Sequence, residues 1–383
     1  MAKNIIFCAD GTWNNPGESA DKDDVSTNVY ALFSLLQGGT ISSTKFLDNT
    51  GDILELEKSV VENGATLQIA KYINGVGNSQ NKILRLLGGG FGAGLVARIV
   101  RGYTFVSRNY ESGDAIYIIG FSRGAYTARA LAGLIVAQGL LKNKFNRSSG
   151  DAYKLGACAW YYYRKTNNGG YSLADFATAI ANFDMREYLT ADSIDPNDFA
   201  PIDKIAAVAV WDTVGSMGIP KYDTNDAKLV DTFRFANTKL SEKVALGLHA
   251  IALDEQRLLF TPTLWDAAGN VSQMVFVGVH ADVGGGYAEK GLSDIALEWF
   301  VQRLSSTGMR FADITGKTQP NAGAPAHQEW RHLTNGTGIR TFRLASKIVA
   351  HASIASRMAL AGVQNYLGAA TTPYRPKNWP PTS

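Results

Sequence analysis

The chain has 383 residues, 45% hydrophobic and 19% charged, and its 37 basic and 34 acidic side chains leave a net charge of only +3. That balance excludes a basic field of the kind that binds nucleic acid, and the core it allows is too large for a disordered chain. Two cysteines, Cys8 and Cys158, make neither a disulfide framework nor a cysteine metal cluster.

At the N-terminus the apolar run IIFCA stops at Asp10, too short for a signal peptide. No run approaches the roughly 18 apolar residues of a membrane span. The chain is therefore expected to be cytoplasmic as synthesised, and export, if any, would use a machine that reads no cleavable signal.

Short apolar runs alternate with helical ones along the chain. NIIFCAD (4–10) reads as a buried strand, and STNVYALFSLLQ (26–37) as a helix after a serine N-cap. LQIAKYING (67–75) is a second strand, and 91–110 carries apolar residues at helical spacing. DAIYIIG (114–120) is a third strand and runs into the helical SRGAYTARALAGLIVAQGLL. KIAAVAVWD (204–212) and VSQMVFVGVH (271–280) read as further strands, VALGLHAIALDEQRLLF (244–260) as a helix, and LSDIALEWFVQRL (292–304) as another. Continuous apolar strands alternating with helices imply a mostly parallel sheet covered on both faces. One domain over 1–383 is expected. Residues 141–203, with ACAWYYYRK and SLADFATAIANF, are expected as a helical cap insertion, packing on the flank being the other reading. Residues 305–383 are expected as a C-terminal extension packed on the same domain.

GFSRGAY (120–126) has the spacing G-x-S-x-G. Three fixed positions arise readily by chance, so the context has to decide. Ser122 stands where an isoleucine-rich strand ends and an alanine-rich helix begins, the strand–turn–helix setting of a nucleophile elbow. The Arg123 amide, at the start of that helix, could stabilise an oxyanion.

A serine nucleophile needs a base, and the base an orienting acid. Of five histidines, His280 ends an apolar run and opens the glycine-rich HADVGGGY; His249 falls within the expected helix, and His327, His332 and His351 follow the apparent last strand. His280 is the expected base. Asp212, at the end of AAVAVWD, is the expected acid, with Asp282 as its rival. The loop CADGTWNN (8–15) offers Gly11 and Thr12 as a second source of oxyanion donors.

The D-G-T after the first strand also suggests an aspartate-nucleophile phosphatase, but that chemistry needs an acid where Cys8 stands. A metal held by Asp10, Asp212 and Asp282 stays open. GGGFGAG (88–94) does not match the dinucleotide spacing. No cofactor is called for.

Several stretches together resemble one bacterial and fungal family of α/β-hydrolase-like proteins that includes phospholipase effectors of type VI secretion systems. They are DGTWNN (10–15), YINGVG (72–77), GFGAGLVARIVRGYTFVSRNY (90–110), GFSRGAYTARALAGLI (120–135), VWDTVGSMG (210–218), LHAIALDEQRLLFTP (248–262) and VGVHADVGGGY (277–287). HASIASRM (351–358) and YRPKNWP (374–380) fit the same pattern. The resemblance implies an α/β-hydrolase-like fold and a Ser122–Asp212–His280 esterase mechanism. It also implies an ester or phospholipid substrate, a membrane surface, and an immunity or secretion partner. The aromatic run 157–163 and an apolar helix over 348–363 are the segments that could meet lipid, core packing being the other reading. The alternatives are an esterase on a soluble substrate, a metal-dependent phosphoesterase, or a non-catalytic binding module on the same fold.

Overall fold

The computed structural model describes residues 2–11, 25–48, 51–75, 91–142, 149–167, 196–214, 238–332, 337–338 and 347–378. The strands are β1 (Asn4–Ala9), β2 (Gly39–Asp48), β3 (Gly51–Glu62), β4 (Ala65–Ile73), β5 (Ala115–Phe121), β6 (Leu140–Leu141), β7 (Phe199–Ala200), β8 (Ala207–Trp211), β9 (Gly247–Ala252), β10 (Val271–Phe276) and β11 (Ile348–Ala350). The helices are α1 (Asn28–Leu35), α2 (Phe91–Asn109), α3 (Arg123–Gln138), α4 (Ser149–Asn167), α5 (His280–Gly284), α6 (Gly291–Ser305) and α7 (Ala352–Ala359).

Nine strands form one sheet in the order β11-β10-β9-β8-β5-β1-β4-β3-β2, and β6 pairs with β7 in a separate ribbon. From β11 to β4 every neighbouring pair is parallel, while β3 runs antiparallel to both β4 and β2. Side chains of a strand alternate between faces, and here the alternation feeds two cores. Ile5, Phe7 and Ala9 of β1 pack with α2, α3 and α4; Ile6 and Cys8 point the other way, toward α1 and α6. Both faces are thus covered, which is why β1, β5 and β8 read as unbroken apolar runs. The fold is α/β-hydrolase-like. Both cysteines are free and buried, Cys8 in one core and Cys158 in the other.

Several expectations need correction. The segment containing His249 is not a helix but the fully buried strand β9, lying between β8 and β10. All six of its residues are buried, so the run shows no exposed face by which strand and helix could be told apart. The sheet does not end at β10: β11 adds to its edge through Gln273–Val275, so His327 and His332 precede the last strand. The apolar stretch 348–363 is not one helix but β11 followed by the short α7, with His351 as N-cap. The N-cap of α1 is Thr27, whose hydroxyl accepts the Tyr30 N–H, and not Ser26.

The aromatic run of α4 packs on the flank. Trp160 and Tyr161 are buried with α2 and α3 in one core, and Tyr162 is 37% exposed. Close packing of these helices is set by small residues: a Cβ at Gly156 would stand 2.7 Å from Thr104 Cγ2, and one at Gly133 2.8 Å from the Tyr163 hydroxyl. SLADFATAIANF (172–183) and most of the TVGSMG loop lie outside the described residues. Among the described residues no helix is long and apolar enough to cross a membrane.

Candidate active site

Parallel strands deliver their C-terminal ends to one edge of the sheet, where ligands of open α/β sheets bind. Ser122 follows β5 at the centre of the sheet. Its backbone has φ 57° and ψ −117°, a conformation that L residues rarely adopt and that costs about 1–3 kcal/mol. The surroundings hold it there: Ser122 N–H donates to Trp211 O at 3.1 Å, and Ser122 O accepts from Tyr126 and Val214 N–H. The turn also needs bare backbone. A Cβ at Gly124 would lie 2.0 Å from Ala9 O, so α3 can start against β1 only with glycine there.

Asp212 follows β8, the neighbour of β5, and is fully buried, with φ 33°. Its Oδ1 accepts the Ala252 N–H at 3.1 Å, and its Oδ2 lies 2.7 Å from Nδ1 of His280. His280 opens α5 just past β10, with Phe121 and Phe260 against its ring at centroid distances of 4.6 and 4.8 Å. Burial holds the imidazole below its ordinary pKa range, opposed by the hydrogen bond and charge of Asp212 and, more weakly, by Glu255. A carboxylate that accepts a hydrogen bond from Nδ1–H leaves Nε2 as the acceptor, the form a general base requires. Ser122, Asp212 and His280 therefore come from three separate strand ends, and the two predicted partners, Asp212 and His280, meet directly.

Asp282 has other business. Its Oδ2 accepts the N–H groups of Val279 and His327, both at 3.0 Å, and its Oδ1 lies 2.7 Å from His327 Nδ1. The Tyr287 ring stacks on His327 at 3.6 Å. Asp282 thus ties the backbone just before His280 to the 327 loop. The expected result for Asp282→Asn is a loss of about 1–3 kcal/mol, since an amide cannot accept from all these donors, with a substantial part of any ester turnover retained. Thermal melting and an ester assay check both.

Asp10 is buried after β1 and accepts from the Tyr72 hydroxyl at 2.6 Å, from the Thr27 hydroxyl and from the Gly11 N–H at 2.6 Å. Burial pushes it up to about 7 against the opposite pull of these donors. The Gly11 amide, expected as an oxyanion donor, is directed at the Asp10 carboxylate. Thr12 lies outside the described residues. Gly11 does adjoin the elbow: a Cβ on it would stand 3.4 Å from Ser122 Cβ. Asp10, Asp212 and Asp282 are each engaged by a different set of donors, and among the described residues no group of three or more His, Cys, Asp or Glu side chains could hold a metal ion. His249, buried in β9, accepts the Thr213 N–H at its Nε2, 3.2 Å away.

Two features of the site were not read from the sequence. His327 meets Asp282 across 45 positions, with no motif to announce the pairing. The loop after β9 supplies Asp254 and Glu255. Asp254 accepts the Gly278 N–H at 2.7 Å, and Glu255 accepts the His280 N–H at 3.3 Å. The stretch LDEQR carried the signal, charged residues straight after an apolar run, but a helical reading hid it.

Several known proteins are similar to the chain. The chain is 30% identical over 267 residues to the uncharacterized protein YEL023C of Saccharomyces cerevisiae, a match covering 68% of this chain and 33% of the yeast protein. The chain thus spans about a third of that relative's length. Among solved structures, an uncharacterized protein from Pseudomonas aeruginosa is similar over 83% of this chain and 47% of its own, at 16% identity and a TM-score of 0.41. The Tle1 effector bound to the VgrG spike of the type 6 secretion system is similar over 75% of this chain and 51% of its own, at 17% identity and 0.39. Esterase 2 of Thermogutta terrifontis is similar over 82% and 86%, at 11% identity and 0.36. The family model described as the Tle1-like phospholipase effector catalytic domain of type VI secretion matches residues 3–303, most of the chain, and the chain belongs to that family.

Proposed function

We propose that the protein is a serine ester hydrolase that cleaves phospholipids or related lipid esters through Ser122, His280 and Asp212. The observation that carries this reading is the 2.7 Å contact between Asp212 and His280, made beside a serine in a strained elbow. His280 Nε2 takes the Ser122 proton as Oγ attacks the ester carbonyl, and Asp212 stabilises the imidazolium that forms. The Arg123 amide at the start of α3 stabilises the oxyanion. The alcohol leaves with a proton from His280. Water, activated by the same imidazole, then releases the acyl group. Membership of the effector family supports the lipid substrate, delivery by a type VI machine and an antibacterial role.

A specific observation favours a second reading, an esterase for soluble substrates. The aromatic run that could have met a membrane is largely built into the core. The two readings separate on a panel of p-nitrophenyl esters and defined phospholipid vesicles, with released fatty acid measured by mass. The lipid reading expects turnover to rise when substrate is presented as vesicles. Turnover confined to soluble esters selects the second reading. No turnover, together with no fluorophosphonate label on Ser122, would leave a non-catalytic module on this fold.

A further inference from the structure

The loop after β9 touches His280 without belonging to the acid–base couple. Glu255 there is fully buried. Its Oε1 accepts the backbone N–H and Nε of Arg257 at 2.9 and 2.8 Å; its Oε2 accepts Arg257 Nη2 at 2.7 Å and the His280 N–H at 3.3 Å. Two parallel charge-assisted bonds of this kind compensate a buried carboxylate. The guanidinium lies 3.7 Å over the Phe260 ring, and Phe260 meets the His280 imidazole edge-on at 75°. Asn378 pins the loop by donating to Leu253 O and Glu255 O at 2.8 and 2.9 Å. One ion pair therefore grips the histidine twice, by its backbone N–H through Glu255 and by its ring through Arg257 and Phe260.

We propose that Glu255 and Arg257 are a positioning pair for His280, the carboxylate fixing where its backbone sits and the guanidinium, through Phe260, fixing its ring. The proposal rests on the reading of His280 as the general base. Geometry alone would make the pair a brace, but its charges also reach the ring. Among the described residues, the charged groups that act on the imidazole are Asp212, which follows β8, and Glu255 and Arg257 from the β9 loop; Phe121 and Phe260 lie against it with apolar rings. Asp254 and Asp282 hold the backbone just before His280, at Gly278 and Val279. Within this set Arg257 favours the neutral imidazole and Glu255 the protonated one, and in the intact pair the two oppose each other.

The test is the pH dependence of kcat/KM on a short-chain p-nitrophenyl ester, whose acid limb follows protonation of the base in the free enzyme. In Glu255→Gln the uncompensated guanidinium moves that limb to lower pH, and in Arg257→Gln the uncompensated carboxylate moves it to higher pH, each by about 1 unit. The double variant returns the limb to the wild-type position. In all three kcat falls by roughly 10²-fold, the effect of a misplaced base, while KM changes little. Glu255→Asp and Arg257→Lys keep both charges and serve where the neutral variants do not fold: they leave the limb in place and lower both kcat and the rate of fluorophosphonate labelling. Limbs unmoved in both neutral single variants, or labelling and turnover unchanged in the charge-conserving ones, overturn the proposal. Wild-type protein that is not labelled at Ser122 would instead overturn the reading of the base itself.

Discussion

Ser122→Ala loses ester turnover by a factor of about 10⁴ or more and keeps its melting temperature. The loss follows from removing the proposed nucleophile: what would remain is only the rate that binding and the proposed oxyanion donor supply. The unchanged stability follows from the backbone. Alanine is as ill-suited as serine to φ 57°, so the strain held by the Trp211 carbonyl and the α3 start is the same in both proteins. Ser122→Gly separates the two effects. It is equally inactive, yet more stable by about 1 kcal/mol, because glycine accepts the left-handed turn without cost. Turnover that survives Ser122→Ala, measured on the ester that the wild type cleaves best, would remove the nucleophile assignment.

The second large effect is that of Asp212→Asn, folded and slower by about 10⁴. The asparagine can still accept the Ala252 N–H with its one carbonyl oxygen, so the strand end stays closed. Its other arm is then an NH₂ facing His280 Nδ1, which makes that nitrogen the acceptor and puts the proton on Nε2, the wrong tautomer for a base. The negative charge that stabilised the imidazolium is lost as well. A melt and a turnover measurement suffice, and the comparison with Asp282→Asn gives the result its force. An inactive Asp282→Asn beside an active Asp212→Asn would move the orienting role to Asp282.

Much of this site was legible in the sequence because buried parallel strands and tight turns leave strong local marks. β1, β5 and β8 are largely apolar runs, and each is followed directly by a polar residue of the candidate site, Asp10, Ser122 or Asp212. The elbow announces itself because only glycine fits where a Cβ would meet Ala9 O or Gly124 O. What stayed hidden had no local mark. β9 is buried along its whole length and shows no period by which to separate strand from helix. β2 and β3 pair with each other at the polar edge of the sheet, where GTISSTKFLD and GDILELEKSVVE offer little continuous hydrophobic signal. β11 is three residues long and exists only because β10 has a free edge to pair with. The role of Glu255 depends on where a loop lands, and a sequence read one segment at a time does not contain that.

Phe121, the residue before the serine, has a Cβ-less neighbour on two sides. Any side chain at Gly284 would begin 2.0 Å from its ring, and any at Gly11 2.9 Å away, while the His280 ring already lies against it. The three loops that carry the serine, the base and the β1 turn thus share one volume. Positions 11, 121 and 284 form a single steric unit: a gain of size at either glycine requires the phenylalanine ring to shift or shrink. Enlarging either glycine without unfolding this centre therefore calls for a paired exchange, with a smaller side chain at position 121.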